Sequence, residues 1–401
     1  HARLERTAGW LDADWRIDAA WQRVDDDRRT RDFESDERRH EQNASQLFGL
    51  SVVADGNVER IDWVAGIDFY DDRVSSARQS ESLSTGIVAP IASRFPDGST
   101  VRQASVFANA DYAMNDRWHA GAGIRFSSSR AMLAATDTTD AADVRVNDVG
   151  LDVSVRYEIN DSLTWVSNAG AGFRAPNIFD LGTLGARPGN RFNIPNADLE
   201  SERVQQIDTG LRFQNDRLRW EAVAFALHYD DRITSVLTGE QTSEGRDIVQ
   251  TDNASTSDIV GLEFGMGLSF GTRWQIDAVV NATRGEQREL GSDDEPGDRI
   301  PPLNGYVSLG YEAPKYRAEL RLRGADRQHR LSARDVRDVR IDPNGTSGWA
   351  VMDVSFRWPD FSGWVVAAGV ENVTDKRYRN HGSGIDAVGR NAFLSLRKTF
   401  D

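Results

Sequence analysis

The amino-acid sequence predicts an all-β fold: a transmembrane antiparallel up-and-down β-barrel, of which the chain holds about sixteen strands. Three observations predict it. Polar and apolar side chains alternate strictly, connections alternate between tight and long, and tryptophans sit near the ends of the alternating segments.

The alternation comes first, because successive side chains of a strand point to opposite faces. Leu151, Val153, Val155, Tyr157 and Ile159 oppose Asp152, Ser154, Arg156 and Glu158. Tyr316, Ala318, Leu320 and Leu322 oppose Arg317, Glu319, Arg321 and Arg323. Trp274, Ile276, Ala278 and Val280 oppose Arg273, Gln275 and Asp277, and Ala350, Met352, Val354, Phe356 and Trp358 oppose Asp353, Ser355 and Arg357. A soluble sandwich also alternates, so the connections must discriminate. Tight turns are expected at Asp55-Gly56-Asn57, Asn115-Asp116, Asn160-Asp161, Asn215-Asp216, Gly271-Thr272, Ala313-Pro314 and Asp360-Phe361-Ser362. These residue types tolerate positive φ or bond their own backbone. Between them lie long polar excursions at 75–99, 130–143, 176–202, 231–257, 285–300, 326–347 and 375–389, the fourth with room for strands that continue above a membrane. Regular alternation of short and long connections puts all turns at one end of a meander and all loops at the other, as in outer-membrane barrels. Trp63, Trp118, Trp165, Trp220, Trp274, Trp349, Trp358 and Trp364 lie where an interfacial girdle would sit, with burial in a sandwich core as the alternative. Phe400, one residue from the end, nearly meets the terminal-aromatic pattern of such barrels.

Composition permits this. Of 401 residues 39% are hydrophobic, and no run of about 18 apolar residues occurs, which excludes helical spans. Mean hydropathy is −0.55, compatible with barrel strands, half of whose side chains are polar. The net charge of −15 disfavours nucleic acid. Basic residues are nearly all arginine, Lys315, Lys376 and Lys398 being the lysines. The absence of cysteine excludes disulfides and thiol chemistry. The sequence starts at His1 without an export signal, which is expected to have been removed or to lie outside it.

Four segments carry more than pattern. Phe173-Arg174-Ala175-Pro176 closes a strand and opens a long excursion. Ile194-Pro195-Asn196-Ala197-Asp198-Leu199-Glu200-Ser201-Glu202 leads the next strand with an acidic start, and Ile300-Pro301-Pro302-Leu303 enters a late one. Gly369 to Ser383, containing Asn372, Asp375, Tyr378 and Gly382, is followed by Gly389-Arg390-Asn391 and the last strand. In order and spacing, across Val101 to Phe400, these segments resemble TonB-dependent outer-membrane receptors. Phe173, Ala175, Pro176, Pro195, Leu199, Asn372, Asp375, Tyr378 and Gly382 match the family's motif positions. Several have plain structural roles: Pro176 cannot donate a ladder bond, Asn372 and Asp375 can bond neighbouring backbone, and Gly382, Gly384 and Gly389 supply backbone freedom.

The resemblance implies a barrel of about twenty-two strands filled by an N-terminal plug. Residues 1–401 are therefore expected to form one partial barrel domain, with plug and first strands missing. It implies TonB-dependent active uptake of a large scarce nutrient, a ferric siderophore, haem or cobalamin, by a monomer in the Gram-negative outer membrane with its long loops extracellular. Partners would be outer-membrane lipid and lipopolysaccharide, the ligand, and the TonB energy-coupling protein through the missing N-terminal part. The alternatives are a diffusion porin of about sixteen strands, with Arg317, Glu319, Arg321 and Arg323 setting selectivity, and a soluble β-rich binding protein.

No catalytic constellation, cofactor motif or metal-ligand spacing is apparent, and an enzyme is not expected. The histidines are His1, His40, His119, His228, His329 and His381. His119 and His228 fall in alternating strands as wall residues, whereas His329 and His381 fall in outer loops. Haem receptors of the family usually carry a ligand histidine between the two boxes, and 177–193 contains none, which lowers haem, with His329 or His381 as the substitutes left. Arg327, Arg330, Arg334, Arg337 and Arg340, interleaved with Asp335 and Asp338, would suit an anionic chelate or lipopolysaccharide phosphate, or else form a self-neutralised solvated loop. Asp293-Asp294-Glu295 is a weak cation candidate. The candidate ligand-binding set is Arg174, His329, Arg330, Arg334 and His381, with barrel or plug packing as the other role for Arg174.

Overall fold

The computed structural model describes residues 1–7, 13–93, 95–136, 140–181, 184–187, 191–338, 340–361 and 363–398; Ser362 and the terminal Phe400 lie outside the described residues. The strands are β1 (Ala2–Arg6), β2 (Asp14–Arg31), β3 (Glu37–Val58), β4 (Ile61–Ser82), β5 (Val88–Pro90), β6 (Thr100–Ala113) and β7 (Trp118–Leu133). Next come β8 (Ala142–Asn160), β9 (Leu163–Arg174), β10 (Gly185–Arg187), β11 (Arg191–Ile194), β12 (Glu202–Gln214), β13 (Leu218–Gln241) and β14 (Asp247–Phe270). The chain ends with β15 (Trp274–Glu289), β16 (Glu295–Pro296), β17 (Asn304–Glu312), β18 (Arg317–Ala325), the helix α1 (Ala333–Arg337), β19 (Trp349–Phe361), β20 (Trp364–Glu371) and β21 (Asn391–Lys398). Among the described residues, sixteen strands have eight residues or more and the other five have five or fewer, in line with the expected number.

Two compact units can be described separately. The first comprises His1–Ser154, Gly170–Gln205 and Tyr229–Thr256. In it β1, β2, β3, β4, β6 and β7 form an antiparallel meander, with β5 appended to β4. Period-two alternation separates its faces. On one face Leu50, Phe69 and Ala104 lie in register, as do Val52, Ile67, Val106 and Phe126, and Ala54, Ala65, Ala108 and Ile124. Ile67 and Val106 are at least half exposed, and Phe126 nearly so. Rows of apolar side chains across several strands, with Ile67, Phe69, Val106, Ile124 and Phe126 all exposed, fit lipid, not water, as the neighbour. The opposite face aligns Asp18, Ser51, Asp68, Ser105 and Ser127. Here Ser51 donates to Asp68 at 2.7 Å and Arg125 to Asp68 at 3.0 Å.

The second unit comprises Val155–Ala169, Gln206–His228 and Ser257–Asp401. In it β15, β17, β18, β19, β20 and β21 form the meander. Its apolar rows align Ile276, Leu309, Leu320, Val354 and Val370, and then Trp274, Tyr311, Ala318, Phe356, Ala368 and Leu394. On the polar face the predicted charge ladder pairs internally, Arg321 with Glu319 at 2.7 Å and Arg323 with Asp353 at 2.7 Å.

Three tight turns share one chemistry. Asn115, Asn160 and Asn215 each accept two backbone N–H groups through Oδ1, from the residues two and three positions on, at 2.8–3.0 Å. The turn expected at Asp55-Gly56-Asn57 lies further on: β3 runs through it to Val58, pairing with Ile61, and Glu59 takes the positive φ of 55°. Gly56 instead pairs with Trp63, whose ring occupies the space a Cβ would need, 3.0 Å away. Aromatic rings cluster at the tight-turn end, with Trp274 4.7 Å from Tyr311 and 6.1 Å from Phe270, and Trp358 6.2 Å from Phe356. Trp349 departs from the expected girdle. It starts β19 at the loop end, with its ring tilted against Tyr378 at 4.2 Å, because its register places it with the odd-numbered polar face.

The long excursions are more ordered than their polarity predicts. The room that 231–257 offered for continuing strands is used: β13 and β14 continue until only 242–246 connects them. Beyond an apolar band both faces of a strand are polar and alternation fades. In the first unit Ala131, Leu133, Ala142 and Val144 of β7 and β8 form a buried cluster with Ile178, Leu181, Leu184 and Leu199. The 175–201 connection therefore folds back onto the face opposite the apolar band. Each fully buried leucine contributes about 2 kcal/mol to that fold-back.

Candidate functional site

Two assemblies occur at the loop end, one in each unit. In the first, Arg174 ends β9, where Pro176 stops the ladder, and its guanidinium spans two acids. It donates to Glu202 at 2.6 Å and to Asp180 at 2.6 Å. Asp180 also accepts from Asn177 N at 3.0 Å, and Glu202 from Ile233 N at 2.8 Å. Further ties hold the 175–201 connection: Gln250 donates to Pro195 O at 2.8 Å, Thr251 to Asp180 O, and Asn196 to Thr251 O at 2.9 Å. β11 pairs in parallel with the start of β14, Phe192 facing Ile248. Leu199 is 3% exposed within the buried cluster, and the ring of Phe173 lies beside Gly150.

In the second unit the connections 290–303, 326–348 and 372–390 are cross-linked. Asp298 accepts from Ser332 at 2.7 Å, Gln287 at 3.0 Å and Arg334 at 3.1 Å. Burial alone would raise its carboxyl pKa, but these hydrogen bonds together outweigh burial and hold it below the usual range. Arg330 reaches Glu286 at 3.2 Å, and Arg299 and Arg340 both pair with Asp338 at 2.6 Å. The Asp338 carboxyl is held well below its ordinary value, chiefly by the Arg340 side chain. Arg330 and Arg334 are thus neutralised from outside the arginine-rich loop, by Glu286 of β15 and Asp298, and Arg340 from within it by Asp338. The acidic run is divided too: Asp294 pairs with Arg288 at 2.6 Å and Glu295 accepts from Ala333 N at 2.7 Å.

At the centre lie His381 and Asp335, with side chains 2% and 1% exposed and Nε2 3.7 Å from Oδ2. His381 Nδ1 meets Thr346 Oγ1 at 2.9 Å, and Asp335 Oδ2 accepts from Arg299 N at 3.1 Å. His381 Nε2 and Asp335 Oδ1 have no hydrogen-bond partner. Burial pushes the His381 pKa down, against the opposing pull of Asp335. Around this pair the matched motif positions are structural. Asn372, 1% exposed and at φ 48°, donates through Nδ2 to Lys376 O at 2.8 Å and accepts Lys376 N at 2.8 Å. Asp375, at φ 55°, accepts Arg390 N at 2.8 Å, and Gly382, at φ 74°, lies against the Arg299 side chain.

Of the candidate ligand residues, Arg330, Arg334 and His381 therefore share one assembly, where His329 is exposed and Arg334 keeps 69% of its side-chain surface. Arg174 belongs to the other unit. Sequence reasoning missed Asp180, Glu202, Asp298 and the Asp335–His381 pair. One signal was available: Ser332-Ala333-Arg334-Asp335 is a helix-start pattern, and Ser332 caps α1 by accepting Asp335 N at 3.0 Å. Among the described residues no group of three or more His, Cys, Asp or Glu side chains could hold a metal ion.

The family model described as "TonB dependent receptor-like, beta-barrel" matches residues 1–373. The chain belongs to the TonB-dependent receptor family. Members of this family are outer-membrane β-barrels, and the relatives found are transport receptors. The pesticin receptors of Yersinia enterocolitica and Yersinia pestis are 23% identical over 332 residues, 75% of this chain and 44% of theirs. The chain thus spans less than half the length of the curated relatives it matches. Among solved structures, the copper transporter OprC superposes with TM-score 0.79 at 19% identity, over 96% of this chain and 62% of that one. The ferric yersiniabactin uptake receptor FyuA from Yersinia pestis does so with TM-score 0.68 at 16% identity, over 96% and 57%. The ferric citrate transporter FecA gives 0.73 at 14%, over 96% and 58%. At these identities the likeness establishes the shared fold.

Proposed function

We propose that this TonB-dependent receptor barrel forms the wall of a receptor in the Gram-negative outer membrane that takes up a large scarce nutrient, a ferric siderophore-like chelate first, with energy relayed from TonB. The observation that carries the proposal is the family match over 1–373. The exposed apolar rows support the location. Relatives named for ferric yersiniabactin, ferric citrate and copper support metal chelates as the ligand class. Haem and cobalamin are secondary, the first because 177–193 has no histidine. His329 and Arg334, exposed on one connection, would meet an anionic chelate, with Arg330 behind them. His381 acts by holding the loops that present those residues, and Arg174 by holding the 175–201 connection of its own unit. Outer-membrane lipid and lipopolysaccharide would surround the apolar face.

The test is uptake of labelled ferric chelates by iron-starved cells lacking the gene and complemented with the full-length product, with TonB intact or deleted. Accumulation restored only with TonB is expected. Accumulation independent of TonB, together with steady open-channel conductance in planar bilayers, would replace this proposal with the diffusion-porin alternative.

A further inference from the structure

The apolar face of the first unit ends abruptly at a set of arginines. In β4, Phe69 is followed on the same face by Asp71 and Arg73. In β6, Ala104 is preceded by Arg102. In β7, Ser128 is followed by Arg130, and in β8 the corresponding face carries Asp143 and Arg145. Asp71 pairs with both Arg73 and Arg102 at 2.9 Å. Asp143 pairs with Arg130 at 2.7 Å and with Arg145 at 3.3 Å. Each carboxylate is shared by two guanidiniums, so each triad holds one positive charge in excess, in a chain whose net charge is −15.

The two triads meet at Arg102 and Arg130, which are direct register partners on β6 and β7. Like charges opposite one another on one face are destabilising unless an anion lies between them. The row next to this pair is Ala104 and Ser128, and beyond it lie Val106 and Phe126, both prominently exposed. Rows on one face are about 7 Å apart along a strand, so Val106 and Phe126 lie about 14 Å from the arginine pair, within reach of the acyl chains of a lipid whose phosphate sits on that pair. A ligand suited to this surface has a phosphate for the arginines and acyl chains for the apolar rows. Guanidiniums bind phosphate oxygens bidentately, and the four side chains keep 38–65% of their surface for it.

Building on the outer-membrane location proposed above, we infer that Arg102 and Arg130, flanked by Arg73 and Arg145, form a binding site on the outer face of the barrel wall for the phosphorylated headgroup of an outer-leaflet lipid. The occupant is a lipid and not a free anion, because the arginine pair shares its face with the exposed Val106 and Phe126, one row of small side chains away.

The test uses the full-length gene product, delipidated in nonionic detergent and titrated with diphosphorylated lipid A, with its dephosphorylated form, and with inorganic phosphate alone. Binding is read by native mass spectrometry. The wild type is expected to retain diphosphorylated lipid A, with about tenfold weaker binding in R102Q/R130Q and an intermediate loss in R102K/R130K, which keeps charge without the bidentate fork. Heat-modifiable electrophoretic mobility checks that each variant is folded. Equal retention by wild type and R102Q/R130Q would overturn the site, as would equal binding of the dephosphorylated lipid. Competition by inorganic phosphate alone at equal concentration would overturn the assignment to lipid. Chelate uptake is expected to be unchanged in R102Q/R130Q, so loss of lipid binding and loss of transport are separate results. A wild type soluble without detergent would sink this site and the proposed location together.

Discussion

Arg174→Met removes a guanidinium shared by two carboxylates and leaves both in place. Asp180 and Glu202 retain side-chain exposures of only 11% and 18%, whereas Arg174 itself is 43% exposed. Breaking a fully buried pair from one side costs about 3–5 kcal/mol, and an exposed pair contributes about 0–1 kcal/mol. Each acid keeps one backbone donor, Asn177 N or Ile233 N, which lessens the penalty. The intermediate exposure places the cost at about 2 kcal/mol, which favours opening of the connection roughly thirtyfold. The loss is local, because the ladders beyond Arg174 are untouched. Hydrogen–deuterium exchange of a peptide from Asn177 to Leu181, whose Leu181 N–H bonds to Asn177 O at 3.1 Å, reads that opening directly. The cycle with Glu202→Gln is the sharper readout. Once the acid is neutral, removing the arginine leaves less stranded charge, so R174M/E202Q should open less than the two single effects combined. Unchanged exchange in R174M, or strict additivity in the double variant, would refute the clamp.

Three further outcomes follow from named contacts. His381 is buried with its pKa pushed down, so the unfolded loop binds a proton that the folded loop resists; the stability it contributes is complete above the unfolded value of about 6.5 and is lost as pH falls toward the folded value. Protection factors in 372–390, in which the intrinsic pH dependence of amide exchange is divided out, should therefore fall between pH 7.5 and 5.5, and His381→Gln should flatten the dependence; wild-type protection factors independent of pH would contradict it. Asn115→Ala, Asn160→Ala and Asn215→Ala should each cost about 1 kcal/mol and add, since they lie in separate hairpins, as measured by urea unfolding from lipid vesicles. Gly56→Val should displace the Trp63 ring, whose nearest atom lies 3.0 Å from a Cβ at that position, and shift its fluorescence in a variant with the other tryptophans replaced; an unchanged spectrum would deny the cross-strand packing.

The wall was legible in the sequence because one face of each strand is apolar, and a period of two survives wherever that holds. It is weakest at 231–257, a polar excursion with room for strands above a membrane, where β13 and β14 do continue with polar residues on both faces. Gly56 misled because its lack of a side chain serves Trp63 across the ladder and not a turn. Trp349 misled because a tryptophan near a strand end does not declare its face; its register does. The motif positions were legible as pattern but their reasons were not. Asn372 holds the backbone of Lys376 and Val388, while Arg174 depends on Glu202, 28 residues away, and His381 meets Asp335 across two connections. Contacts between loops leave no periodic trace.

The central claim is that the tight turns and the long loops of this chain lie on opposite sides of the outer membrane. These 401 residues contain no cysteine, so with any cysteine elsewhere in the full-length product replaced, a single introduced thiol reports its own location. His329→Cys in an exposed loop and Asp216→Cys in a tight turn, each in the full-length product, can be treated on intact cells with a membrane-impermeant maleimide. Labelling of the loop thiol on intact cells, and of the turn thiol only after the outer membrane is opened, is the predicted result. Equal labelling of both on intact cells, or of the turn thiol alone, would contradict it.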